Sequence, residues 1–104
     1  MESLTYRFEH GSRALPAQAQ LVGVAGSGNL EVLIEPAPLD GACSIEVNTA
    51  AVGFGAVWAA VLRDFHQRWQ LADVRIAIND VGATPAVVSL RLDQAVETML
   101  GAAP

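Results

Sequence analysis

The run "VGVAGSGNLEVL" (Val22–Leu33) reads as strand, glycine turn, strand, and the rest of the fold follows from it. Its arms are Gln20–Ala25 and Leu30–Glu35. In the second arm Leu30, Val32 and Ile34 share one face, while Glu31 and Glu35 take the other, the period-two pattern of a half-buried strand. Two strands joined by so short a turn pair antiparallel. The turn itself places Ser27 between Gly26 and Gly28. Hairpin tips commonly use Asn-Gly, Asp-Gly or Gly-Gly, so on spacing alone a plain turn is the simpler reading. The alternative is a displayed hydroxyl, because neither neighbour carries a side chain that crowds it.

Outward from this hairpin the same period recurs. Leu4, Tyr6 and Phe8 alternate with Thr5, Arg7 and Glu9 ahead of a polar connection, His10 to Gln18. "PAPLDGA" (Pro36–Ala42) is a turn segment, and Ser44 to Thr49 alternates again through Ile45 and Val47, which predicts a second hairpin with the strand before it. After "VGFG" (Val52–Gly55) the period changes. Trp58, Leu62, Phe65 and Trp69 recur at helical spacing with Val57 and Val61 beside them, predicting an amphipathic helix over about Gly55 to Gln70. Asp73 to Asn79 returns to alternation through Val74, Ile76 and Ile78. Thr84 is then a good N-cap, with Pro85 at the first helical position, where its missing donor costs nothing. Val88, Leu92, Ala95, Val96 and Met99 form the buried stripe of a second helix ending near Leu100. The predicted fold class is α+β: a two-layer sandwich, its mostly antiparallel sheet of four to five strands covered on one face by two amphipathic helices.

The 104 residues predict a single domain (1–104), and 52% hydrophobic against 16% charged composition predicts a packed globule. Six basic and eleven acidic residues give a net charge of −5, which disfavours nucleic acid and anionic membrane as partners. Every basic residue is Arg, so a P-loop lysine and Schiff-base chemistry are excluded from this chain. Cys43 is the single cysteine, so neither an internal disulfide nor a cysteine zinc cluster is expected. No signal peptide is read in "MESLTYRFEH", and "TAAVGFGAVWAAVL" (Thr49–Leu62) is too short to span a bilayer; a cytoplasmic protein is expected.

Candidates for catalysis are few. "GSG" lacks the third glycine of a dinucleotide fingerprint and opens a strand rather than a helix. His10 and His66 are isolated, Cys43 has no histidine nearby in sequence, and Trp58, Phe65 and Trp69 read as core. Glu31, Glu35 and Glu46 fall on the outer sheet face as a solvated acidic surface. No catalytic residue and no metal ligand is therefore assigned, and Ser27 is left as the one candidate.

Three blocks carry a resemblance: "VGVAGSGNLEVLIEP" (Val22–Pro36), "NTAAVGFGAVWAAVL" (Asn48–Leu62) and "INDVGATPAVVSLRLDQAVE" (Ile78–Glu97). In this order, and across Leu4 to Glu97, the chain resembles the acyl carrier subunits of bacterial malonate decarboxylase, and more loosely the carrier subunit of citrate lyase. The resemblance implies a carrier without catalytic activity of its own. It implies that Ser27 bears 2'-(5''-phosphoribosyl)-3'-dephospho-CoA through a phosphodiester, placed there by a prosthetic-group transferase, with Gly26 and Gly28 letting the backbone approach the phosphate. Acetyl and malonyl would ride on the terminal thiol as thioesters. A transferase subunit would exchange acetyl for malonyl, releasing acetate, and decarboxylase subunits would regenerate acetyl with loss of carbon dioxide. A tethered thiol replaces diffusion by a high effective concentration. The helical carriers of fatty-acid synthesis differ, since their modified serine follows Asp at a helix N-terminus.

One position departs from the pattern: Asn29 stands where Asp is common in the family. "NDVGATP" (Asn79–Pro85) is characteristic of the resemblance and invites a docking role, although a strand end and a helix cap already account for Thr84 and Pro85. Two other readings stay open: an unmodified adaptor that binds a larger enzyme through its outer sheet face, and a citrate-lyase-type carrier.

Overall fold

A computed structural model describes residues 1–15, 20–24 and 30–100, with the backbone alone for 20–24. The elements run β1 (Glu2–Phe8), β2 (Arg13–Ala14), β3 (Gln20–Val24), β4 (Leu30–Pro36), β5 (Cys43–Thr49), α1 (Gly55–Trp69), β6 (Leu71–Ala72), β7 (Val74–Asp80) and α2 (Pro85–Met99). The main sheet has five strands in the order β1-β5-β7-β4-β3; β5 and β7 are parallel, and the other pairs are antiparallel. The α+β sandwich read from the sequence is borne out. The expected hairpin forms as β3–β4, with Val24 opposite Leu30.

Alternation sets the faces. Leu30, Val32 and Ile34 of β4, Cys43, Ile45 and Val47 of β5, and Val74, Ile76 and Ile78 of β7 are all buried. Glu31, Glu46 and Arg75 between them are exposed on the opposite face. The helices cover the buried face, α1 beside β1 and α2 over β3 and β4. Leu62 and Phe65 from α1 and Leu92 and Ala95 from α2 complete a core from which water is excluded. Each fully buried Leu or Phe side chain contributes roughly 1.5–3 kcal/mol relative to exposure. Thr84 caps α2 through its side chain, accepting from the Val87 amide at 3.3 Å, and Pro85 opens the helix as predicted.

One expectation is corrected. β4 and β5 do not form a second hairpin, because β7 lies between them. Pro36 and Cys43 both pair with Val74, from opposite sides, so the segment 37–42 bridges two strand spacings, about 10 Å. A tight hairpin loop cannot span that gap. With Val74, Ile76 and Ile78 pointing inward, the middle slot buries β7 and pairs both of its edges. The bridging segment is held by Asp73, whose Oδ1 accepts from the amides of Leu39 and Gly41, both at 3.0 Å. These bonds hold the Asp73 carboxyl below its ordinary value.

The polar connection after β1 is also more ordered than its composition implied. β2 pairs in parallel with β6 as a separate two-stranded sheet. The amides of Ser12 and Arg13 both donate to the Gln70 carbonyl, and that of Gly11 donates to the Gly41 carbonyl. Gly11 sits so close to β6 that a Cβ there would lie 1.9 Å from the Leu71 carbonyl oxygen, so only glycine fits.

Candidate functional site

The segment 25–29, with Gly26, Ser27, Gly28 and Asn29, lies outside the described residues, but the strands that hold its two ends do not. Val24 ends β3, the edge strand, and Leu30 begins β4 with its side chain buried. Leu30 is also the register partner of Asp80, the last residue of β7, and Asp80 is the partner of Thr49, the last residue of β5. The attachment candidate is therefore tethered at the end of the sheet where β5 and β7 finish and where both helices begin.

Asp80 organises this end. Its Oδ2 accepts from the Thr49 hydroxyl at 2.8 Å, and its Oδ1 accepts from the amides of Ala83 at 2.7 Å and Gly82 at 3.2 Å. The Thr49 Oγ1 in turn accepts from the Ala51 amide at 3.1 Å, and the Ala50 amide donates to the Asp80 carbonyl at 3.0 Å. Both carboxylate oxygens of a buried acid thus have partners, and the two loops leading into α1 and α2 are tied to one another. Glu2 adds a further tie, accepting from the amide of Gly53, whose φ of 92° suits glycine. No feature of the sequence pointed to the Thr49–Asp80 pair. The signal that could have found it is a polar residue on the inward phase of each strand, at the position after the last apolar one.

Between the first turns of the helices lies a groove of about 310 Å³. Phe54, Val57, Trp58 and Val61 line one side and Pro85 and Val88 the other, with Asp80 at its base. Two of the three sequence blocks that carry the family resemblance line this groove, Asn48–Leu62 and Ile78–Glu97, and the first adjoins it through the pairing of Leu30 with Asp80.

The remaining candidates fall elsewhere. Cys43 is fully buried, and burial pushes its thiol up to about 12, so at neutral pH it is not a thiolate. His66 is buried with its ring stacked on Phe8 at 4.8 Å between centroids; burial lowers its pKa, favouring the neutral ring. His10 is exposed in the connection after β1, with φ 59°. Trp58 and Phe65 are core, whereas Trp69 is half-buried and donates its indole N–H to Asp93 at 2.8 Å. Glu35 pairs with Arg75 on the outer face, and Glu31 accepts from Asn79. Among the described residues no group of three or more His, Cys, Asp or Glu gathers as a metal site, and no helix is long and apolar enough to cross a membrane.

The segment that contains Ser27 follows β3, which has no strand beyond it among the described residues. The described part of this end has no arginine. Arg7, Arg13, Arg68 and Arg75 sit at the opposite end of the sheet, and Arg63 and Arg91 lie in the middle turns of the helices.

Residues 17–99 match the family model described as the malonate decarboxylase delta subunit (MdcD). The malonate decarboxylase acyl carrier protein of Stenotrophomonas maltophilia (strain K279a) is 65% identical over 105 residues, covering 100% of this chain and 99% of that one. That of Burkholderia cepacia is 62% identical over 96 residues, covering 91% and 87%. A chain in the crystal structure of a Pseudomonas malonate decarboxylase hetero-tetramer in complex with malonate superposes with a TM-score of 0.83 at 38% identity, covering 95% of this chain and 99% of that one. The chain belongs to the malonate decarboxylase acyl carrier protein family.

Proposed function

We propose that the chain serves as the acyl carrier subunit of a malonate decarboxylase, with Ser27 as the point of covalent attachment of phosphoribosyl-dephospho-CoA. That group supplies, when bound, a terminal thiol on which acetyl and malonyl are held as thioesters. The chain's own residues anchor it: Val24 and Leu30 fix the ends of the attachment segment to the sheet, and the Thr49–Asp80 pair holds the adjoining loops. The chemistry then belongs to partner subunits, a transferase that exchanges acetyl for malonyl and decarboxylase subunits that remove carbon dioxide. The only cysteine of the chain is buried and protonated at neutral pH, so it does not compete with the arm thiol as an acyl acceptor.

The observation that carries this reading is the near-complete coverage by acyl carrier relatives at 65% identity, joined to a serine between glycines in the connection at the sheet edge. The test is Ser27→Ala in the assembled enzyme. The carrier reading expects turnover of malonate to vanish while the variant still copurifies with its partners. Retained turnover would overturn it and leave the adaptor.

A further inference from the structure

The groove between the first turns of α1 and α2 has the size and lining of a small-molecule cavity. Its volume of about 310 Å³ stands at the lower end of the range of ligand pockets. Phe54, Val57, Trp58, Val61, Pro85 and Val88 supply an apolar wall, with Phe54 and Val57 exposed at its mouth. The charges at this end do not favour one sign. Asp80 at the base is buried with both carboxylate oxygens already bonded, Glu2 accepts from the Gly53 amide, and Glu31 lies on the opposite face of the sheet. Against them stand the ammonium group of Met1, beside Glu2 at the start of β1, and the positive ends of two helices. What this groove takes is therefore selected by apolar surface rather than by charge.

Resting on the carrier reading, we infer that the groove is the intramolecular seat for the acetylated thiol end of the arm on Ser27. The chain itself limits how far from the groove that arm starts. Three peptide units separate Ser27 from Leu30, a reach of at most about 11 Å, and Leu30 pairs with Asp80 across one strand spacing of about 5 Å. Ser27 is thus tethered within about 16 Å of the groove base. The arm exceeds that distance, since it strings a phosphate, two riboses, a diphosphate and a pantetheine in series. The cavity holds only part of such a group, and its lining decides which part. Phosphates would lose hydration against an apolar wall with no partner to replace it, whereas the acetyl methyl, the sulfur and the methylenes beside it gain from burial. Tethering raises the local concentration of this end to roughly the millimolar range, so a weak contact is enough to seat it. Seated there, the thioester is screened from water and stray nucleophiles between visits to the partner subunits.

The test compares the full-length carrier bearing its arm, acetylated with a ¹³C-labelled acetyl group, with the arm-free Ser27→Ala chain in methyl NMR spectra. Nuclear Overhauser contacts are expected from the acetyl methyl to the methyls of Val57, Val61 and Val88. Those resonances should move between the two chains while that of Leu90, exposed on α2 outside the groove, stays in place. The thioester is then cleaved with hydroxylamine. Val57→Glu, at an exposed position, should lose its acetyl roughly threefold faster than the parent, as loss of a seat occupied about two-thirds of the time requires. Leu90→Glu should match the parent. Circular dichroism melts check that both variants fold, and the comparison of parent with Ser27→Ala needs no groove variant. Unmoved groove methyls overturn the inference, as do equal cleavage rates for Val57→Glu and the parent. So do groove shifts that grow with carrier concentration, which point to a second copy, or that arise only when partner subunits are added. Intact mass separates the two readings: an arm on Ser27 with silent groove methyls removes the seat and leaves the carrier. A chain that bears no arm when isolated from its native cells removes the carrier reading instead.

Discussion

At the end of the sheet where β5 and β7 begin, polar groups answer one another. Asp73 gathers the Leu39 and Gly41 amides, Glu35 meets Arg75, Asp93 accepts from both Arg68 and Trp69, and Gly11 lets β2 close on β6. At the end where β5 and β7 finish, the one buried polar cluster among the described residues is Thr49–Asp80, and around it apolar side chains face solvent. The first end closes its polar groups within the chain; the second leaves Val52, Phe54 and Val81 exposed. The difference teaches that the polar ties fixing the strand connections gather at one end, while exposed apolar side chains gather at the other.

Mutations can break that comparison. The largest effect is expected from Gly11→Ala, which drives a Cβ into the Leu71 carbonyl and costs about 3 kcal/mol, read as a fall in the urea midpoint. Arm loading in the surviving folded fraction should not change. Next comes Thr49→Val, which removes the hydroxyl from a buried carboxylate and costs about 2 kcal/mol by the same measurement. Were Thr49→Val the more damaging of the two, the separation of the ends would fail.

Asp73 sharpens the comparison through pH. Its folded pKa lies below the unfolded value, so its stabilising contribution is complete above about pH 4 and is lost as pH falls through the folded pKa. Asp73→Asn keeps an acceptor at Oδ1 and tolerates the φ of 57°, so stability near pH 7 should change little while its acid dependence becomes shallower. Chemical denaturation from pH 7 to pH 2 checks this, and an unchanged acid limb counts against the clamp. The smallest effect is expected from Arg75→Ala, whose exposed pair with Glu35 is worth at most about 0.5 kcal/mol, since solvent screens it. A larger loss in the same denaturation assay would show that the outer face contributes more than its exposure implies.

Legibility in the sequence followed the same division. Alternation located β1, β4, β5 and β7 within a residue or two, and the Thr84-Pro85 step located the start of α2, because these signals are local. The partner of a strand is not local. Nothing in Ser44 to Thr49 distinguishes a neighbour that precedes it from one that arrives after a helix, so the insertion of β7 was missed. The Thr49–Asp80 bond joins residues 31 apart and was missed for the same reason. Val57 read as part of the apolar helix face, as it is, but periodicity cannot tell an apolar residue packed in the core from one left at a groove mouth. Ser27 stood out through the family resemblance, since its glycine neighbours alone favour a plain turn, and the described residues add where its segment is anchored.

The measurement that bears most directly on the carrier assignment is the intact mass of this chain purified from its native cells during growth on malonate, followed by mapping of the peptide that contains Ser27. The account predicts an added mass equal to phosphoribosyl-dephospho-CoA, with or without an acyl group, located on Ser27. A wholly unmodified chain from cells that are consuming malonate would contradict it.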